Sequence, residues 1–250
     1  MNFFTSLLNE IIRMAPAALF NIYFALAAIP VGFAFAIVFA LGKNSPNPLL
    51  NRLSRIYIYF FRGSPFFIQL FAFYSLVLAF NLTVWKPLGV DWFVLHPLFM
   101  GPAILALNTT AYTAEIFYGA LISVPRGEVE AARAYGMSRR QRFWSVTWPN
   151  LIRLAWPAYT NEVVFLFQAT ALVYFTLPVI GDQRDLMNMA EVLFQRDYNV
   201  FLHFGVAALY FLAISLLIFY LFGLIYRRLM RHMPQTAPMK FTWRRLQTLS

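Results

Sequence analysis

Asn108, Tyr112 and Glu115 are spaced i, i+4 and i+7, which on a helix puts all three on one face. Further along, Asn161 and Gln168 are seven apart, with Glu162 beside the first of them. Both sets sit in long apolar runs, where a charge at the helix centre costs about 2.5–3.5 kcal/mol and by default marks a functional position. The chemistry such residues offer is recognition. The amides and the phenol can hydrogen-bond a polar ligand, and Glu162 can supply a counter-charge to a cationic group. Two other readings of Glu162 stay open: an ion pair with a neighbouring Arg, or a protonated, hydrogen-bonded acid. The Asn, Tyr and Thr side chains serve equally well as interhelical glue. Glu115 lies nearer the end of its run, and a structural pair with a basic residue of the 123–153 segment is expected for it. Arg62, beside Gly63 and close to Pro65, is either a snorkelling anchor or part of an inner gate. Hydrolytic chemistry has no support. There is no His-Glu-x-x-His pattern and no nucleophile–base set, His96, His203 and His232 are scattered, and the lack of Cys removes thiolate chemistry and disulfides.

The elements that must position these residues follow from composition. Of 250 residues, 60% are hydrophobic and 12% charged, half the charged share of about 25% usual in soluble domains. Crossing a hydrocarbon core about 30 Å thick takes roughly 20 apolar residues of helix. Five runs reach that length: Pro16–Leu41, Phe66–Val84, Leu98–Ile122, Leu151–Phe175 and Phe201–Tyr226. Residues 1–14 lack the basic start of a secretory signal, and Glu10 and Arg13 interrupt their apolar pattern. Their periodicity predicts a short amphipathic helix lying in the membrane interface. His203, at the start of the fifth run, reads as an interfacial polar residue.

The net charge of +10 is informative by position. Most of the 20 Lys and Arg lie in 42–65 (Lys43, Arg52, Arg55, Arg62), in 123–153 and beyond residue 226, whereas most acidic residues occupy the alternate connections. The positive-inside rule places the C-terminus in the cytoplasm and the N-terminus outside, in keeping with an odd number of spans. The charge therefore reports topology, and no nucleic-acid partner is expected.

One charged island interrupts the apolar chain. Glu128 and Glu130 open a helix-forming stretch, Gly136 is a natural stop for it, and Ser138 with Gln141 forms a capping-box pattern for a second helix. A helix of about two turns does not hold itself up in water, so it needs a partner surface, which the small Ala131 and Ala132 let approach closely.

At this point the residues resemble a known family. "EAARAYG", followed nine residues later by "VTWP", is similar to the EAA signature of ABC importer membrane subunits, with Val146 and Trp148 in place of the usual aliphatics. "FRGSPFFIQLFAFY" (61–74), "AYTAEIFYGALISVPRGEVEAARAYGMSRRQ" (111–141) and "PAYTNEVV" (157–164) resemble polar amino-acid permeases, especially the histidine, arginine and opine types. The resemblance implies an all-α membrane protein of the type I ABC importer permease fold. A permease domain would span 15–227 around a cytoplasmic coupling segment at 123–150, followed by a basic tail at 228–250. It implies that Glu130, Ala131, Ala132 and Gly136 couple the chain to a separate ATPase. The polar residues within the spans, Glu162, Asn161, Asn108, Tyr112 and Gln168, are the ones expected to contact substrate, and Asn161-Glu162 also matches the family motif. Expected partners are two copies of the ATP-binding subunit, a sibling permease or second copy of this chain, a periplasmic substrate-binding protein and membrane lipid, in the bacterial inner membrane. ATP and Mg would be used by the partner, with no cofactor or metal on this chain. Tyr118 stands where the family often has Arg. An ATP-independent carrier or channel is the competing reading, and it offers no reason for the island helix.

Overall fold

The computed structural model describes residues 3–178 and 184–231, and every regular element among them is helical. α1 (Phe3–Lys43) is one continuous helix of 41 residues with Pro16 and Pro30 inside it. The separate helix expected over 1–14 is therefore corrected: its described part forms the first turns of α1. The reason is burial, because Met14, Ala17 and Ala18 pack into an apolar cluster with Leu186, Ala190 and Val206. That packing draws the N-terminal turns onto the body of the protein and carries the helix through Pro16.

α2 (Pro48–Gly63) begins at Asn47, whose side chain accepts from the Leu49 N–H at 2.9 Å, with Pro48 at the first helical position. It meets α3 (Phe66–Ala79) at 110°. The run expected to continue as far as Val84 instead leaves the α-helix at Ala79 and widens into a π-helical turn over Asn81–Trp85. The short α4 (Asp91–Val94) leads to α5 (Pro97–Ile122), then α6 (Arg126–Ala134) and α7 (Arg139–Arg142). A π-helical turn at Phe143–Thr147 feeds α8 (Trp148–Ala169), and α9 (Leu186–Asp197) and α10 (Val200–Leu229) complete the order. Beyond Arg231 the expected basic tail lies outside the described residues.

α5 is the axis of the fold, packed along α1 on one side and α8 on another. By length and composition, Thr5–Lys43 and Val200–Leu229 are apolar enough to cross a membrane, with a third span if the bent α2–α3 pair counts as one. α5 and α8 have 26 and 22 residues, about 39 and 33 Å at 1.5 Å per residue, which is also long enough. They fall short in apolar character because they carry the polar residues, and those are largely enclosed: Asn108, Thr109, Thr110, Thr113, Thr160 and Glu162 are all buried. Another buried polar group, Asn21 of α1, donates to Thr170 Oγ1 and accepts from the Leu186 N–H, both at 2.9 Å. It ties α1 to the end of α8 and the start of α9.

Candidate functional site

The site is built from the corner between α2 and α3 and the polar face of α5. Arg62, Gly63, Ser64 and Pro65 turn the chain, and Gln69, one turn into α3, closes the turn. Its Nε2 lies 2.7 Å from the Phe61 carbonyl, 2.9 Å from the Ser64 carbonyl and 2.8 Å from Ser64 Oγ. The Phe61 carbonyl is an acceptor that the ending α2 leaves without a helical partner. Gln69 Oε1 then accepts from Asn108 Nδ2 at 2.8 Å, so the corner is fastened to α5. Gln69 was not among the residues singled out from sequence, although it is the lone amide in α3.

Next along α5, Thr109 Oγ1 donates to Glu162 Oε1 of α8 at 2.9 Å. Neighbouring residues thus reach in two directions at one level, Asn108 to α3 and Thr109 to α8. Glu162 is 8% exposed, and among the described residues no Lys or Arg lies within ion-pair distance of it. The pair with a neighbouring Arg, one of its possible roles, is not formed.

Towards the end of α5 the Arg62 guanidinium stacks over Tyr112, 5.5 Å from the ring centroid. Glu115 Oε2 lies 2.5 Å from Lys43 Nζ and 3.7 Å from Arg62 Nη1. Here the expectation that Glu115 pairs with a basic residue of 123–153 is corrected. α1 runs along α5 and delivers its last residue, Lys43, to this carboxylate, while α6 leads the island arginines away. Lys43 also sits 4.3 Å above the Tyr118 ring, so Tyr118 offers the cation a π-face. Lys43 was missed in the sequence because a basic residue at a helix C-terminus is ordinary dipole complementation.

The five residues expected to contact substrate do not form one cluster. Asn108 is committed to Gln69, Tyr112 to Arg62 and Glu162 to Thr109. Asn161 and Gln168 lie on the opposite, exposed face of α8 with Leu154 and Phe165, and Gln168 Nε2 touches Ser215 Oγ of α10 only at 3.5 Å. Adjacent positions on a helix are turned by about 100°, so Asn161 and Glu162 cannot share a face.

The charged island folds into α6 and α7. Gly136 has φ +77°, its N–H bonds the Arg133 carbonyl at 3.0 Å, and the Met137 N–H bonds the Ala132 carbonyl at 3.1 Å. This is a Schellman cap that needs the left-handed residue. Ser138 and Gln141 form the expected capping box, and the Asn150 side-chain amide donates to the Glu128 carboxylate, pinning α6 to α8. Ala132, expected to face a partner, is corrected: it is buried against the chain's own body, whereas Glu130, Ala131, Arg133 and Tyr135 are exposed. Tyr135, with 86% of its surface open, went unnoticed in the sequence.

At the other end of the bundle His203 is buried, not interfacial as its position in the sequence suggested. Nδ1 lies 2.5 Å from Glu10 Oε1 and Nε2 lies 2.7 Å from Asp197 Oδ1. The backbone N–H of Asn199 and the His203 ring hold the Asp197 carboxyl below its usual range. Asp185, capping α9 through the Asn188 N–H at 2.8 Å, is instead pushed up to about 6 by burial.

Comparison with known proteins bears on the family and the fold. Residues 10–233 match the family described as binding-protein-dependent transport system inner membrane component. The chain is 35% identical over 213 residues to the histidine/lysine/arginine/ornithine transport system permease protein HisM of Salmonella typhimurium, covering 85% of this chain and 88% of that one. It is 32% identical over 194 residues to the nopaline permease NocM of Agrobacterium fabrum, covering 78% of each. Among solved structures, an amino acid ABC transporter crystallised with histidines superposes with TM-score 0.73 at 24% identity, covering 91% of this chain and 99% of that one. An inward-facing MetNI methionine transporter superposes at 0.63 and 17% identity, covering 92% and 99%. The match across nearly the whole chain shows that it belongs to the binding-protein-dependent transport system inner membrane components, as a multi-span permease subunit of a bacterial ABC importer whose ATPase is a separate subunit.

Proposed function

We propose that this permease moves basic amino acids or opines into the cytoplasm through five spans, α1, α3 with the turn that follows it, α5, α8 and α10, with α2 at the inner membrane surface and the N-terminus outside. The printed functions of the HisM and NocM relatives support the substrate class, and the segregation of basic residues supports the orientation. A second permease, either a sibling or another copy, completes the pathway against the exposed face of α8 that carries Asn161 and Gln168. A substrate-binding protein delivers the ligand from outside. Two ATPase subunits, using ATP and Mg, close on the inner side.

The observation that carries the coupling is α6. It is nine residues long, too short to persist alone, yet it is capped at its end, pinned through Glu128 and Asn150, and exposes Glu130, Ala131 and Tyr135. Movement of a docked ATPase thus reaches α8 directly. Within the bundle, Glu162 is the counter-charge to the cationic group, held in its rotamer by Thr109. Asn108 and Tyr112 line the path to it, and Arg62 with Glu115 forms the inner closure.

Purification from membranes without crosslinker tests this reading. The parent chain should retain an ATPase subunit, and Glu130→Arg with Gly136→Arg should lose it. If no ATPase accompanies the parent, the coupling role of α6 is wrong.

A further inference from the structure

α2 is divided lengthwise into three sectors. Ser54 and Ile58 are buried against the protein. Leu49, Leu53, Ile56 and Phe60, at i, i+4, i+7 and i+11, form an apolar stripe on the far side, each about half or more exposed. Between these two sectors run Arg52, Arg55, Tyr59 and Arg62, at i, i+3, i+7 and i+10, all exposed. The helix contains no Asp or Glu. The arginine flank opens into a cleft of about 420 Å³ walled by Lys43, Arg55, Ile58, Tyr59, Arg62 and Glu115. The one carboxylate there is already matched by Lys43 at 2.5 Å, so the cleft keeps an excess of positive charge.

We propose that α2 is a binding site for an anionic phospholipid, with the headgroup phosphate held by Arg52 and Arg55 and the acyl chains against Leu49, Leu53, Ile56 and Phe60. The adjacency of the two stripes selects a lipid over a soluble anion. A free phosphate has no use for the apolar stripe, and an uncharged lipid has none for the arginines. A helix with a basic flank and an apolar face lies at the headgroup boundary, and basic pockets between spans on the cytoplasmic side suit anionic headgroups. The assignment to the inner leaflet rests on the orientation given under Proposed function. Arg55 is braced for the role, its Nε donating to Asn51 Oδ1 at 2.7 Å, which leaves the terminal nitrogens to face the phosphate.

The test uses the whole importer reconstituted in vesicles of equimolar phosphatidylcholine and phosphatidylglycerol, re-extracted and weighed by native mass spectrometry. The parent should retain phosphatidylglycerol in clear preference to phosphatidylcholine. The preference should fall about fivefold for each arginine removed and about thirtyfold in Arg52→Gln with Arg55→Gln, and Arg52→Lys with Arg55→Lys should keep most of it. Retention in the bulk lipid ratio by the parent, or unchanged preference in the Gln variant, overturns the site. ATP-driven arginine uptake by the same vesicles separates the two ideas. Uptake without lipid preference sinks only the lipid site, and preference without uptake sinks only the transport reading.

Discussion

Two glycines at opposite ends of α6 should respond with opposite sign to the same substitution. Gly136 has φ +77° and no neighbouring atom within 4 Å of an added Cβ, so Gly136→Ala meets no steric wall and its cost is purely backbone. Holding an L-residue in the left-handed region costs about 1–2 kcal/mol, which is about fivefold to thirtyfold in the equilibrium of the cap. Gly127 also has open space around it, but its φ is not positive, and it lies inside α6. There, Ala reduces the freedom of the unfolded segment and stabilises by about 0.4–1 kcal/mol, or about twofold to fivefold. Amide exchange in the full-length protein reads both, through the N–H groups of Tyr135, Gly136 and Met137 that bond back into α6. Gly136→Ala should accelerate their exchange, and Gly127→Ala should slow it. Exchange at the parent rate in Gly136→Ala, or a shift of the same sign in both variants, would refute the assignment of the stop to the left-handed cap.

Three further outcomes follow from the bundle. Thr109→Val removes the donor to Glu162 Oε1 and should lower stability by about 1–3 kcal/mol, the cost of leaving a buried polar group without its partner; thermal unfolding in detergent measures it, and an unchanged Tm removes the pair from the fold. Glu162→Gln should weaken uptake of a cationic amino acid far more than that of a neutral one, and equal losses would discard the counter-charge. Burial holds the Asp185 carboxyl at about 6 against an ordinary 3.8. Between these values the folded state keeps a proton the unfolded state has released, so stability falls as pH rises through that window and stays lower above it. Asp185→Asn retains a capping oxygen for the Asn188 N–H and abolishes the loss. It should be more stable than the parent at pH 8, on the order of 1–3 kcal/mol, and match it below pH 4; a gain that persists at low pH would point to another cause.

Local and compositional features were legible in the sequence alone. The apolar runs announce membrane helices because lipid leaves the backbone no other partner. The end of α6 at Gly136 and the restart at Ser138 depend on residues within one or two turns, and the chain folds there as its spacing predicts. The spread of Lys and Arg indicates an orientation because that rule counts residues along the chain. What the sequence could not decide were the meetings of distant residues. Glu115 finds Lys43, 72 positions away, because α1 packs lengthwise on α5 and ends there. Asn108 is taken by Gln69 because the α2–α3 corner bends by 110° and brings that amide across. Asn161 and Glu162 are neighbours in the chain, but one faces outward and the other is enclosed by α5. His203 is buried between two carboxylates because the first turns of α1 pack onto the start of α10. Periodicity places a side chain on a face of its own helix, but which helix covers that face is set by tertiary packing.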